Sequence, residues 1–253
     1  MAPTGRGEVR VRIEPVTGAA PRRVGRPILS QHWRNVLFLH WPVRPPAVAD
    51  LMPPGVAPDV CNGTSWVGLV VFGTERTGPG PGGGIPYFGT FPEVNVRLYS
   101  VDGRGRRGVV FRSLDCPRLA AVLVGRAALG LPYRWSETHW TAEDGALHLA
   151  SRLRGPAGSR AGCVLRAEVG PGLERPGPLA EFLTARWGLH TRTRGRTVYL
   201  PVEHPRWPLH RARLRELDQD LLPAAGVEAA GPPASVLFSP GVPVRFGPWT
   251  PVD

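Results

Sequence analysis

Apolar and aromatic positions fall in short runs of strand length, broken by glycine, proline and acidic turns. Residues 1–30 are rich in Arg, Pro and Gly, lack such a pattern, and are expected to form a loose leader ahead of one domain over 31–253. The first patterned run is Trp33 to Trp41, which reads as a strand. Pro45 to Met52 reads as a short helix, with prolines in its first turn and Pro53-Pro54-Gly55 as its stop. Ser65–Phe72 reads as a strand, and Glu93–Val101 with Arg107–Leu114 as a hairpin turning at Asp102-Gly103-Arg104-Gly105. Asp115 opens a helix that runs to about Leu129 and is ended by Gly130 and Pro132. Tyr133–Thr141, Ala146–Leu153 and Gly162–Glu168 alternate as a β-meander. A helix over Leu179–Trp187, a strand over Thr197–Glu203, an amphipathic helix over Arg211–Leu222 and a strand over Ser235–Phe246 complete the chain. The sum is an α+β fold, mainly β and barrel-like, with a few helices.

Composition narrows the function classes. The chain has 253 residues, 42% of them hydrophobic and 20% charged, enough for a substantial core. Its net charge of +11 comes entirely from arginine, since the sequence contains no lysine. The arginines are spread through an Ala-, Gly- and Pro-rich chain and form no recognised nucleic-acid motif, so charge speaks first to solubility and non-specific binding. Three cysteines without a CxxC pair, and seven histidines without HxH or HExxH spacing, predict neither a disulfide framework nor a metal site. No apolar run reaches membrane-spanning length and residues 1–26 lack the core of a secretory signal, so a soluble cytoplasmic protein is expected. Gly78–Gly84 lacks the Lys-Ser/Thr ending of a phosphate loop and reads as a flexible loop, a candidate pocket lid. No serine sits in a Gly-x-Ser-x-Gly elbow. No cofactor is expected.

Several segments carry a family resemblance in order along residues 30 to 250. They are Trp33-Arg34-Asn35 with His40-Trp41-Pro42, Leu51-Met52-Pro53-Pro54-Gly55, Phe91 to Arg97, Gly130-Leu131-Pro132-Tyr133, Phe182 to Trp187, His204 to Leu209, and Ser239-Pro240-Gly241-Val242. The pattern resembles the YqjF-like family of uncharacterised bacterial proteins, grouped with the acetoacetate-decarboxylase-like superfamily. The resemblance implies a cone-shaped, largely closed β-barrel with surrounding helices and a central pocket. It places Arg34 at the position of a pocket arginine, Glu93 at that of a pocket glutamate, and Gly125-Arg126 at a Gly-Arg pair. Tyr133 and Arg134 stand where decarboxylase relatives have two adjacent lysines, and a second pocket acid is replaced near Gly68. Imine formation needs a neutral primary amine, which neither guanidinium nor phenol supplies, so lysine Schiff-base decarboxylation is excluded.

Within that frame Glu93 and Tyr133 are candidate catalytic residues, and Arg34, Arg97, Arg126 and Arg134 candidate ligand-binding residues. A period of two puts Glu93, Asn95 and Arg97 on one strand face and Val94 and Val96 on the other. Each residue keeps a plainer alternative: an ion pair for Arg34, a structural pair with Arg97 or Arg34 for Glu93, core packing for Tyr133, and solvation for Arg126. His40 is expected to point opposite to Leu39 and Trp41, as a satisfied structural histidine or a proton carrier. Three functions remain open: a pocket for a small organic acid or carbonyl compound, an acid–base or enolate-type enzyme using Glu93 and Arg34, and a basic interaction protein that binds nucleic acid.

Overall fold

The computed structural model describes residues 12–81, 84–86, 89–155 and 161–252. Its strands are β1 (Leu29–Val43), β2 (Val56–Pro58), β3 (Ser65–Pro79), β4 (Phe91–Asp102), β5 (Arg107–Cys116), β6 (Tyr133–Glu143), β7 (Ala146–Leu153), β8 (Gly162–Gly172), β9 (Gly188–Thr193), β10 (Arg196–Glu203), β11 (His210–Gln219), β12 (Ser235–Phe246) and β13 (Thr250–Pro251). Four short helices interrupt them: α1 (Pro45–Ala49), α2 (Leu119–Leu129), α3 (Pro178–Thr184) and α4 (Leu221–Ala224). Asp115 and Cys116, read as a helix start, instead finish β5, where they pair in parallel with Arg134 and Trp135.

One sheet closes on itself twice. Pairing of β4 with β5 closes a nine-stranded barrel through β6, β7, β8, β11, β12, β1 and β3. Pairing of β10 with β12 closes a second, smaller ring through β9, β5, β4, β3 and β1. Strands β1, β3 and β4 are therefore a wall shared by two interiors, which explains why their central stretches are buried on both faces. Leu37, Leu39, Trp41, Leu69 and Val96 face one core with Leu147, Leu149 and Leu165 of β7 and β8. Phe38, Val70, Phe72 and Tyr99 face the other with Leu189, Leu200 and Trp207. Strands β7 and β8 line only one core and alternate buried with exposed.

Residues 211–222 differ from the amphipathic helix that their spacing predicts. They form all but the first residue of β11 and then the start of α4, with Arg211 and Arg213 outward and Ala212 and Leu214 inward. A bulge between Leu214 and Glu216 inserts one residue, so Leu217 is the next inward side chain. The resulting Leu214-to-Leu217 spacing of three mimics a helical stripe.

The described part of the leader is anchored rather than loose. The Glu14 N–H donates to the Gly105 carbonyl at 2.9 Å, Trp187 Nε1 to the Thr17 carbonyl at 3.0 Å, and the Val24 N–H to Glu203 at 2.7 Å. Residues 1–11, and residues 82 and 83 of the expected lid, lie outside the described residues. Among the described residues no helix is long and apolar enough to cross a membrane.

Candidate functional site

The smaller ring encloses a cavity of about 70 Å³. At roughly 10–15 Å³ per water position, that admits about five to seven waters, or one small organic molecule. Strand β4 supplies its polar spine. Glu93, Asn95 and Arg97 all point into the cavity, as the period of two requires, while Val94 and Val96 face the other core.

Glu93 closes one end. It is buried, Tyr133 Oη donates to its Oε2 at 2.9 Å, and Asn95 bonds its carboxyl as well. Burial raises its pKa to about 7, and the Tyr133 and Asn95 hydrogen bonds only partly oppose that rise. Tyr133 is pushed well above the usual phenol range, first by burial and then by Glu93, so it stays a donor. Gly125 seats this ring: a Cβ there would lie 2.3 Å from Tyr133 Cδ2, so only glycine lets α2 pack against it.

Arginines form the other end. Arg97 Nη2 donates to the Leu183 carbonyl at 3.0 Å and reaches the Tyr99 hydroxyl at 3.3 Å, while its Nε is buried without a partner among the described residues. Arg186 donates through Nε to the Phe182 carbonyl at 2.8 Å and pairs with Asp59 through Nη1, leaving Nη2 buried and unpartnered among the described residues. Asp59 also carries Arg107, so one buried carboxylate faces two guanidiniums, and no ion pair is recorded for Arg97 among the described residues. Gly68 lies across from Arg97 on β3, and a Cβ there would meet the Arg97 side chain at 3.4 Å and the His40 ring at 3.2 Å. His40 does face away from Leu39 and Trp41, stacked with Phe38, but neither ring nitrogen finds a partner among the described residues. Burial and the nearby Arg97 and Arg186 hold it well below the usual imidazole pKa.

His204 forms part of the wall among Trp33, Trp187 and Trp207. Its Nδ1 lies 2.6 Å from the Pro205 carbonyl, which only accepts, so Nδ1 carries the proton and Nε2 is a bare acceptor. Burial lowers its pKa to about 4, which keeps the ring neutral.

Three of the residues proposed from sequence thus meet at the cavity and three do not. Arg34 projects outward with a half-exposed side chain, its Nε 3.8 Å from Glu75. A bulge causes this: β1 carries an extra residue between Arg34 and Leu37, with Asn35 at φ 50°, so Trp33 and Val36 both face the cavity and Arg34 is turned out. Arg126 sits on the outer face of α2 and clasps the Tyr133 carbonyl through Nε at 2.6 Å. Arg134 follows Tyr133 on a strand, so alternation sends it the other way, onto Asp115 at 2.6 and 2.9 Å. Only one of the two adjacent lysine positions therefore looks into the cavity. Arg186 and His204 were not singled out from sequence, although each lies in a segment that carries the family resemblance. Among the described residues no cluster of His, Cys, Asp and Glu is arranged to hold a metal ion.

Comparison with known proteins agrees with this architecture. The uncharacterized protein YqjF of Bacillus subtilis (strain 168) is 30% identical over 185 residues, covering 73% of this chain and 76% of that protein. Among solved structures, the acetoacetate decarboxylase of Legionella pneumophila superposes with a TM-score of 0.58 at 13% identity, covering 92% of this chain and 90% of that one. An acetoacetate decarboxylase-like enzyme from Sphingomonas wittichii RW1 gives 0.60 at 12% identity, covering 89% and 92%. The enduracididine biosynthesis enzyme MppR, complexed with pyruvate, gives 0.58 at 15% identity, covering 90% and 91%. These likenesses establish an acetoacetate-decarboxylase-like fold. The match to the DUF2071 family, described as an uncharacterized conserved protein, spans residues 30–243, and the chain belongs to that family.

Proposed function

We propose that the cavity binds a small organic acid, with its carboxylate on Arg97 and Arg186 and its reactive carbons toward Glu93 and Tyr133. The observation that carries this reading is a pair of buried donors without a partner among the described residues, Arg97 Nε and Arg186 Nη2, on arginines that line the cavity. A buried N–H without a partner costs about 1–3 kcal/mol, more on a charged group, and a ligand carboxylate removes that cost while balancing the excess positive charge. The complex of the similarly folded MppR with pyruvate supports the ligand class. Arg34, given this role by the family resemblance, is replaced in it by Arg97 and Arg186.

A thermal-shift screen of acids with three to five carbons tests the binding. A ligand at about a hundred times its Kd adds roughly 2.7 kcal/mol to stability. A shift with short carboxylates, absent with the matching amides, supports the reading; no shift with any acid defeats it.

A second reading, acid–base catalysis on the bound acid, is favoured by Glu93. A carboxyl with a pKa of about 7 can both give and take a proton at neutral pH, and Tyr133 can donate to an oxygen that gains charge. The missing lysine removes the lysine imine route, and the reading proposed in its place is proton transfer through an enol or enolate. Exchange of α-protons of a bound acid in D2O, followed by NMR, should collapse in Glu93→Gln while binding survives. Equal exchange in both proteins would remove Glu93 from the reaction.

A further inference from the structure

The cavity contains two unfilled acceptors as well as its arginine donors. His204 Nε2 is bare because Nδ1 is committed to the Pro205 carbonyl at 2.6 Å, and no partner for Nε2 is recorded among the described residues. Asn95 is 2% exposed, lies between Glu93 and Arg97 on β4, and its Oδ1 is buried without a partner among the described residues. Both residues line the cavity. A carboxylate has no hydrogen to offer either of them, and neither has the oxygen of a simple ketone.

We infer that the ligand is a hydroxy acid, whose hydroxyl donates to His204 Nε2 or Asn95 Oδ1 while its carboxylate sits on Arg97 and Arg186. This deepens the proposed organic-acid pocket and rests on it. An ammonium group is also a donor, but it would be stripped of water beside two buried guanidiniums, which repel it. A hydroxyl offers the same hydrogen at no charge. A ligand lacking the hydroxyl leaves the buried Asn95 Oδ1 without a donor among the described residues.

Isothermal titration of the full chain with lactate, pyruvate, propionate and alanine tests this, since the four share a three-carbon skeleton. Lactate should bind at least about tenfold more tightly than propionate or pyruvate, and alanine more weakly than propionate. In His204→Phe the lactate preference should shrink toward parity while propionate binding is kept. Asn95→Ala supplies the same comparison if His204→Phe does not fold. Propionate binding as tightly as lactate overturns the hydroxy-acid assignment and leaves the carboxylate pocket intact. A lactate preference unchanged in both variants overturns the assignment to His204 and Asn95. Failure of all four to bind overturns this inference; the wider acid screen then decides the fate of the pocket itself.

Discussion

Replacing Glu93 by glutamine should make the protein more stable than its parent in alkaline solution and nearly indifferent in acid. Glu93 is buried against Tyr133 and Asn95, and its carboxyl is raised from an ordinary 4.5 to about 7. For an acid whose folded pKa exceeds its unfolded one, the stability contribution is complete below about pH 4.5 and is lost as pH rises through about 7. At 1.36 kcal/mol per pKa unit, the full loss is roughly 3 kcal/mol by pH 8 to 9. Glutamine keeps an oxygen for the Tyr133 hydroxyl and never ionises, so the variant escapes that loss. In a chain of this size 3 kcal/mol corresponds to roughly 6–12 °C in Tm. Urea unfolding of both proteins at intervals from pH 4.5 to 9 isolates the effect, because every other titrating group is common to the two. The difference in unfolding free energy should move toward the variant by roughly 1.4 kcal/mol per pH unit between 5 and 7 and then level off. Parallel profiles across that range would refute a neutral buried Glu93 and the proton-transfer role built on it.

Other substitutions separate the cavity from its surroundings. Arg34→Ala should change stability by no more than about 1 kcal/mol and leave organic-acid affinity unaltered, measured by urea unfolding and calorimetric titration, because its contact with Glu75 is exposed. Arg134→Ala strands the fully buried Asp115 carboxylate and should cost about 3 kcal/mol in the same unfolding assay. Gly125→Ala drives a methyl group into the Tyr133 ring and should cost about 1–3 kcal/mol, with Tyr133→Leu in the same background relieving part of it. His204, neutral in the fold with a pKa of about 4 against an ordinary 6.5, gives stability that is complete above pH 6.5 and lost as pH falls toward 4. In His204→Phe that part of the acid-limb loss, roughly 3 kcal/mol, should disappear from the urea midpoints.

The sequence was most legible where one periodicity ruled. Period two on β4 placed Glu93, Asn95 and Arg97 together on the cavity side, and the meander of β6 to β8 followed from the same alternation. It misled where an inserted residue broke the period. The bulge at Asn35 turned Arg34 away from the cavity that its family position implies, and the bulge before Glu216 gave β11 the apolar spacing of a helix. A bulge leaves little trace in a single sequence, because the extra residue is marked only by a backbone angle such as the 50° φ of Asn35. Arg186 and His204 were hidden for another reason. They reach the cavity from segments after α3 and β10, and only ring closure through β10 and β12 brings those segments opposite β4.

Calorimetric titration of short carboxylic acids into the native protein and into Arg97→Met tests the central claim most directly. Methionine keeps much of the side-chain volume against Phe38 and Tyr99 but removes the buried donor. A charge-assisted hydrogen bond of about 1.5–3 kcal/mol corresponds to roughly a 10- to 150-fold loss of affinity. The account predicts saturable binding of at least one such acid to the native protein, with a loss of that size in Arg97→Met and none in Arg34→Ala. Binding of equal strength in the native protein and Arg97→Met, or loss only in Arg34→Ala, would contradict it.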